Sequence, residues 1–325
     1  MLARPARQWS RAILLLLLVT GALDLAGCPD RFRAEAARRT VQAFYDRRLA
    51  RVPADGLLAP DLRRRSGGYS DPVGPQPAAY RLIQLDRRGA RYRIDLVVAN
   101  AGRAGSRRET EEVLVALRGR RYEIAEIRRT ARARLAPEGL DLVLYLEGKA
   151  NGRLSPAMLP ARAAPPGGGV FGVGRDAFGP AAFNPANPRE AVISSRGLHA
   201  LLATAVFPPA GGGKPAVRPV DLFFEGEVTG VLWLPAGNLV AAQVLTPAGT
   251  EAVYLYEIAD RRRPARKETP WGKRWPPPAS VRLRFFAGGP RALVLSVVDA
   301  AGRTADWGWY LDRSRLEPWP GSGRG

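Results

Sequence analysis

The chain has 325 residues but only one cysteine, one histidine and two methionines, and only four of its 50 basic residues are lysine. A single cysteine excludes an internal disulfide. One thiolate cannot build a tetrahedral metal site, and one imidazole excludes histidine-rich metal centres and most catalytic triads. A run long enough to span a membrane is missing from the amino-terminal segment. Its apolar residues 12–23 would reach about 18 Å as a helix, short of a hydrocarbon core of about 30 Å. Acid is also scarce, with 30 Asp and Glu and a formal net charge of +20. Gly (35) and Pro (29) are plentiful and point to many turns and little long helix. The 46% hydrophobic and 25% charged residues are those of a globular chain, not a disordered one. The length suits roughly two domains.

The positive charge admits two readings. A strongly basic protein raises the local concentration of polyanions, which suits an anion-binding surface. An arginine excess also arises from GC-rich codons, and the arginines are then a solvated coat; this second reading carries more weight.

The first thirty residues are the most informative. Arg4, Arg7 and Arg11 precede the apolar run, which includes five consecutive leucines at residues 14–18. The run suits the apolar region of a secretory signal. It ends in Leu25-Ala26-Gly27-Cys28, with Asp24 one residue before. This motif resembles the lipobox of bacterial lipoproteins: a branched apolar residue, two small residues, then cysteine. The resemblance implies that residues 1–27 are a signal peptide. It also implies that the Cys28 sulfur is alkylated by diacylglycerol and that Cys28 becomes the acylated, palmitate-bearing amino terminus. The small residues would let the peptidase approach the scissile bond. Two or more acyl chains give stable attachment where one is marginal. The lone cysteine is then an address, not a redox or catalytic group.

Residues 28–135 read as a helix followed by an antiparallel meander. Over residues 32–51, Ala37, Val41, Phe44, Tyr45 and Leu49 recur at spacings of three and four. Arg38, Arg39, Asp46, Arg47 and Arg48 take the other side, and Pro53 stops the helix. Strands are expected over residues 80–85 and 91–98, with Tyr92, Ile94, Leu96 and Val98 on one face. A third is expected around Val113, Val115 and Leu117. A fourth carries Tyr122, Ile124 and Glu126 on one face, with Ile127 on the other. Residues 86–89, 100–110 and 118–120 read as hairpin loops. This α+β pattern resembles the cystatin-like, nuclear-transport-factor-2-like domain, in which a helix closes over a curved sheet. Some members of that fold use an Asp–His pair, and this segment has no histidine.

Residues 136–325 read as an all-β repeat. Phe183, Trp233 and Phe285 open three units at spacings of 50 and 52, each passing through a turn and an apolar strand to a further strand. Trp233-Leu-Pro-Ala-Gly237 resembles the blade motif of TolB-like β-propellers without its aspartate. The resemblance implies a propeller-like or irregular repeat in which the aromatics pack between blades. Three units fall short of the usual four to eight blades, and residues 140–146 offer one stray strand. Gly/Pro-rich loops are expected at residues 156–169 and 208–219. Residues 271–278, with Trp271, Lys273, Arg274 and Trp275, form a basic aromatic loop that suits either stacking on a polymer or burial under a blade.

No catalytic, metal or cofactor site is assigned from these patterns, and no cofactor is expected. Gly172-Val-Gly174-Arg-Asp-Ala177 matches a dinucleotide fingerprint only on paper, because no helix pattern follows it. Gly211-Gly-Gly-Lys214 lacks the serine or threonine of a phosphate loop. His199 lies in an apolar strand, and Glu225 and Glu227 flank a turn. The function expected is therefore that of a membrane-anchored extracytoplasmic lipoprotein acting as a binding or scaffold module. The alternative is a lipid-anchored hydrolase with a carboxylate pocket. Its partners would be membrane lipid through acylated Cys28, anionic lipid or wall polymer, and a protein on the β-repeat. Nucleic acid is not expected, given export and dispersed arginines.

Overall fold

A computed structural model describes residues 29–66, 77–86, 90–99, 104–164, 169–209, 213–235, 239–258, 265–269, 279–288 and 291–320. The first element is helix α1 (Pro29–Ala50). Its opening proline needs no donor in the first turn, and Arg47 and Arg48 in the last turn oppose the helix dipole. The helix ends in a six-to-one bond from Val52 N–H to the Arg47 carbonyl (2.9 Å) and a five-to-two bond from Arg51 N–H to Arg48 (3.3 Å). Arg51 takes the left-handed conformation at φ 59° that this cap requires. The expected apolar stripe, from Ala37 to Leu49, is fully buried. A short helix α2 (Pro60–Ser66) follows. Among the described residues, no helix is long and apolar enough to cross a membrane.

The rest is almost entirely β. Strands β1 (Ala79–Gln84), β2 (Arg91–Ala99), β3 (Ser106–Arg118), β4 (Arg121–Glu138), β5 (Asp141–Leu146) and β6 (Lys149–Leu154) form one antiparallel six-stranded meander. A small hairpin of β7 (Arg162–Ala163) and β8 (Phe171–Gly172) comes next. Three four-stranded meanders follow. The first is β9 (Ala177–Asn184), β10 (Asn187–Arg196), β11 (His199–Val206) and β12 (Ala216–Phe224). The second is β13 (Glu227–Leu234), β14 (Leu239–Leu245), β15 (Glu251–Glu257) and β16 (Ala265–Glu268). The third is β17 (Ser280–Ala287), β18 (Ala292–Val298), β19 (Thr304–Tyr310) and β20 (Arg315–Pro318).

These four sheets are arranged as the blades of a propeller. β9 packs against β13, β13 against β17, β17 against β1, and β2 against β9, which returns to the start of the circuit. Three apolar clusters fill the gaps. One joins the six-stranded sheet, through Val97, Leu135 and Leu144, to the first and second blades. Another sits between the second and third, with Leu232, Leu234, Leu255, Phe286 and Leu295. The last holds the α1 stripe, Ile94, Val113 and Ile124 together with Phe285 and Val294 of the third blade. Polar ties cross the same gaps: Phe286 N–H donates to the Ala78 carbonyl (2.8 Å), and Leu283 N–H to the Gln243 side-chain oxygen (2.8 Å).

Four readings are corrected. The boundary expected between residues 135 and 136 falls inside β4, which pairs with β3 as far as Leu135 and with β5 from Ala133 onward. Pro137 does not end the strand, because beyond Leu135 β4 has a ladder partner on one side only and a proline nitrogen can face away. Residues 140–146 are not a stray strand of the repeat; they are part of β5, in the first sheet. Residues 106–110 are strand, not loop, because the charges that look loop-like are paired inside the sheet. Ile127 lies on the same face as Ile124, since they pair with Val113 and Val115 across a bulge at Ala125.

The missing fourth blade is the amino-terminal sheet itself. The repeat phase also shifts by one residue. Trp233 of β13 faces the preceding blade, and the residue of β17 that does so is Phe286; Phe285 faces the helix cluster. The spacing from Trp233 is therefore 53 residues, because Arg284 is bulged out of the β17–β18 ladder.

Candidate functional site

Most of the arginine excess in the first sheet is engaged. Glu109 is held by Arg107 (3.0 Å), Arg129 (3.1 Å) and Arg132 (3.4 Å), and Glu112 by Arg128 (3.0 Å). Glu111 accepts from the Tyr45 hydroxyl (2.7 Å) and from Arg48 (3.0 Å). Asp95 takes Arg108 (2.8 Å) and the Thr110 hydroxyl (2.9 Å).

Three arginines stand apart from that pattern. Arg38 on α1, Arg81 on β1 and Arg291 just before β18 line one cleft of about 410 Å3. Among the described residues, none of these three side chains makes an ion pair or a hydrogen bond, although the Arg291 carbonyl accepts from the Leu311 N–H (3.2 Å). Gln42, Tyr80, Leu82, Pro235, Phe286 and Gly288 also line it, and no carboxylate is among the described lining residues. The cleft opens where β13 and β17 both finish, at one end of the ring and beside the free edge of β1. The Tyr80 hydroxyl donates to Asp46 (3.0 Å). Burial, and then the Asp46 carboxylate, push that hydroxyl far above the usual phenol range, so it stays protonated. Gly288 closes the floor: a Cβ there would lie 3.2 Å from the Tyr80 ring and hydroxyl. The result is a cation-rich cleft with one apolar wall, suited to a compact anion.

Two other depressions hold the carboxylates that the hydrolase alternative requires. One of about 560 Å3 is lined by Asp86, Arg91, Glu112, Glu126 and Arg128. Its Glu112 is bound to Arg128, and Asp86 accepts from the Ala90 N–H (2.8 Å). The other, of about 510 Å3, holds Glu225 and Glu227. Glu227 pairs with Arg196 (3.5 Å), and Glu225 lies in a turn at φ 49°. His199 opens β11 beside the same turn; its Nδ1 accepts from the Glu225 N–H (3.4 Å) and its ring packs edgewise on Phe224 at 5.0 Å. His199 and Glu225 come together, but their hydrogen bond closes a turn, and the Glu227–Arg196 ion pair ties a blade edge. Among the described residues, no group of three His, Cys, Asp or Glu is placed to hold a metal.

Gly174, the second glycine of the paper fingerprint, serves packing. A Cβ on it would sit 2.7 Å from Gly197 Cα and 2.9 Å from the Arg196 carbonyl. Deeper between the first and second blades, Asp221 accepts from the Tyr256 hydroxyl (2.6 Å) and lies 3.5 Å from Arg266. Burial raises the Asp221 carboxyl above its ordinary range, while Tyr256 and Arg266 oppose that rise.

Cys28, residues 1–27 and the aromatic loop at 271–278 lie outside the described residues. Nothing in the sequence sets Arg38, Arg81 and Arg291 apart from the other arginines; only the closing of the ring brings them together. Fold and cleft together define a class, a propeller-like β protein with a cationic cleft at one end of its ring. No protein-family model matches the chain, and no curated protein matches it in sequence.

Proposed function

We propose that the protein is an extracytoplasmic lipoprotein, anchored to the membrane through acylated Cys28, whose β body acts as a binding module. The observation that carries the anchor is Leu25-Ala26-Gly27-Cys28 at the end of a short apolar run, with the chain's only cysteine at the junction. The arginine cleft supports binding rather than catalysis, because its described lining carries no carboxylate, and Glu112, Glu227 and Asp86 of the other two depressions are held in ion pairs or a turn hydrogen bond. The helix stripe packed on Ile94, Val113 and Ile124 supports the cystatin-like resemblance of the first sheet. Trp233 buried between blades supports the TolB-like one. The basic exterior adds a salt-sensitive hold on anionic lipid or wall polymer, about 1 kcal/mol per side chain near such a surface.

The test of the anchor is metabolic labelling with a clickable fatty acid. Wild type is expected to carry the label and Cys28→Ser to carry none. Equal labelling of both would overturn the lipoprotein reading.

A further inference from the structure

We infer that the Arg38–Arg81–Arg291 cleft is a binding site for a phosphoryl group bearing two or more negative charges. This rests on the reading of the protein as a binding module and names the site and ligand class; it is independent of the lipid anchor.

Three observations converge on it. The first is electrostatic. Three arginines from three separate elements line one cleft, and no acid is among its described lining residues. At Glu109, by contrast, three arginines share one acid. A single carboxylate in the cleft would leave most of this charge unanswered, whereas a phosphate monoester or pyrophosphate answers it and matches the guanidinium fork. The second is steric. Gly288 lets the chain pass against the Tyr80 ring, and Leu82, Pro235 and Phe286 give one wall an apolar lining. The ligand therefore has an anionic end and a less polar remainder. The third is conformational. Arg291 sits at φ 52°, where a long side chain is disfavoured and glycine is the ordinary choice.

Two sources of this chemistry exist: a free phosphorylated small molecule and the phosphate of a lipid headgroup. The unlipidated full-length Cys28→Ser protein distinguishes them. Titration calorimetry is run with pyrophosphate and with citrate, and sedimentation with phosphatidylcholine vesicles containing phosphatidic acid, whose headgroup is a phosphate monoester. Each is repeated on a cleft variant, Arg38→Gln/Arg81→Gln/Arg291→Gly. Glycine at 291 removes the guanidinium without adding backbone strain. The control variant is Arg65→Gln/Arg218→Gln/Arg315→Gln, which removes the same charge from exposed arginines that do not line the cleft. Far-UV circular dichroism and thermal melts of both variants report folding.

Removing charge-assisted contacts to one phosphoryl group is expected to weaken binding at least tenfold in the cleft variant and less than threefold in the control. Tight pyrophosphate binding with that pattern supports a soluble ligand. Vesicle binding with that pattern, and weak pyrophosphate binding, supports a headgroup. Citrate bound as tightly as pyrophosphate overturns the phosphoryl assignment while leaving a binding module. Equal loss in both variants, or no binding to either phosphate source, overturns the site. Failure of the cleft variant alone to fold is met by the single change Arg291→Gly, expected to weaken binding several-fold with an unchanged melt; an unchanged affinity there also overturns the site.

Discussion

Asp95 lies on β2 with its side chain wholly out of water, and its partners explain how it can. One oxygen takes Arg108 at 2.8 Å and Thr110 at 2.9 Å; the other faces Arg93 at 3.4 Å. Arg108 is itself buried and reaches on to the Pro185 carbonyl at 3.1 Å, in the turn after β9. Burial lowers the Arg108 pKa and Asp95 opposes that fall. The pair thus joins the six-stranded sheet to the first blade. Breaking a buried pair on one side strands the other charge, at about 3–5 kcal/mol. Asp95→Ala is expected to lose stability of that order, read as a lower urea midpoint with an unchanged slope. Replacing an exposed member of the Glu109 cluster, as in Arg129→Ala, is expected to cost under about 1 kcal/mol. If the two variants melt alike, the buried pair has no structural role.

At the scale of the element, the ladder between β3 and β4 turns on one residue. Val113 faces Ile127 and Val115 faces Ile124, with Ala125 left over. The bulge keeps both isoleucines toward α1 although they are three residues apart, which strict alternation forbids. Deleting Ala125 restores alternation and turns Ile127 to the opposite face. The expected loss is below about 3 kcal/mol, the upper worth of fully burying such a side chain, because Ile127 is half-buried. Ala125→Thr keeps the residue count and is expected to stay near wild type. An unchanged midpoint for the deletion would mean that the bulge does not set the register. The same ladder shows what could be read beforehand and what could not. The α1 stripe was legible because a 3.6-residue period survives in Ala37, Val41, Phe44, Tyr45 and Leu49 without knowledge of their partners. The inner aromatics of the blades were legible within one residue, and the error at Phe285 came from the bulge at Arg284. A bulge leaves no mark on composition. Nor do Arg107, Arg108, Glu109 and Glu111 look like strand until their cross-strand partners are present. The arginine cleft was invisible for the strongest form of this reason, since its residues are distant in the chain.

Over the whole molecule, the decisive feature is that the first sheet closes the ring. Each four-stranded blade is apolar on both faces and needs a neighbour on each side. Three blades would leave two such faces open; the six-stranded sheet covers both, touching β9 through β2 and β17 through β1. α1 is part of that closure, because its stripe shares a cluster with Phe285, Ala287 and Val294 of the last blade. Cutting between residues 135 and 136 divides β4 and removes one side of two clusters from each fragment. Expressed separately, residues 29–135 and 136–325 are therefore expected to melt without cooperativity, and their mixture to regain a single transition in circular dichroism. A chain ending at residue 279 lacks the last blade and leaves Leu232, Leu234, Val253 and Leu255 uncovered on one side of the gap and the α1 stripe half covered on the other. Exposed faces of that size mark aggregation, so this fragment is expected in the insoluble fraction. A cooperative melt of residues 29–135 alone would instead make the first sheet a domain in its own right. The cleft would then sit at a junction between two domains, and binding of pyrophosphate by the full chain would vary with their docking rather than with the three arginines alone.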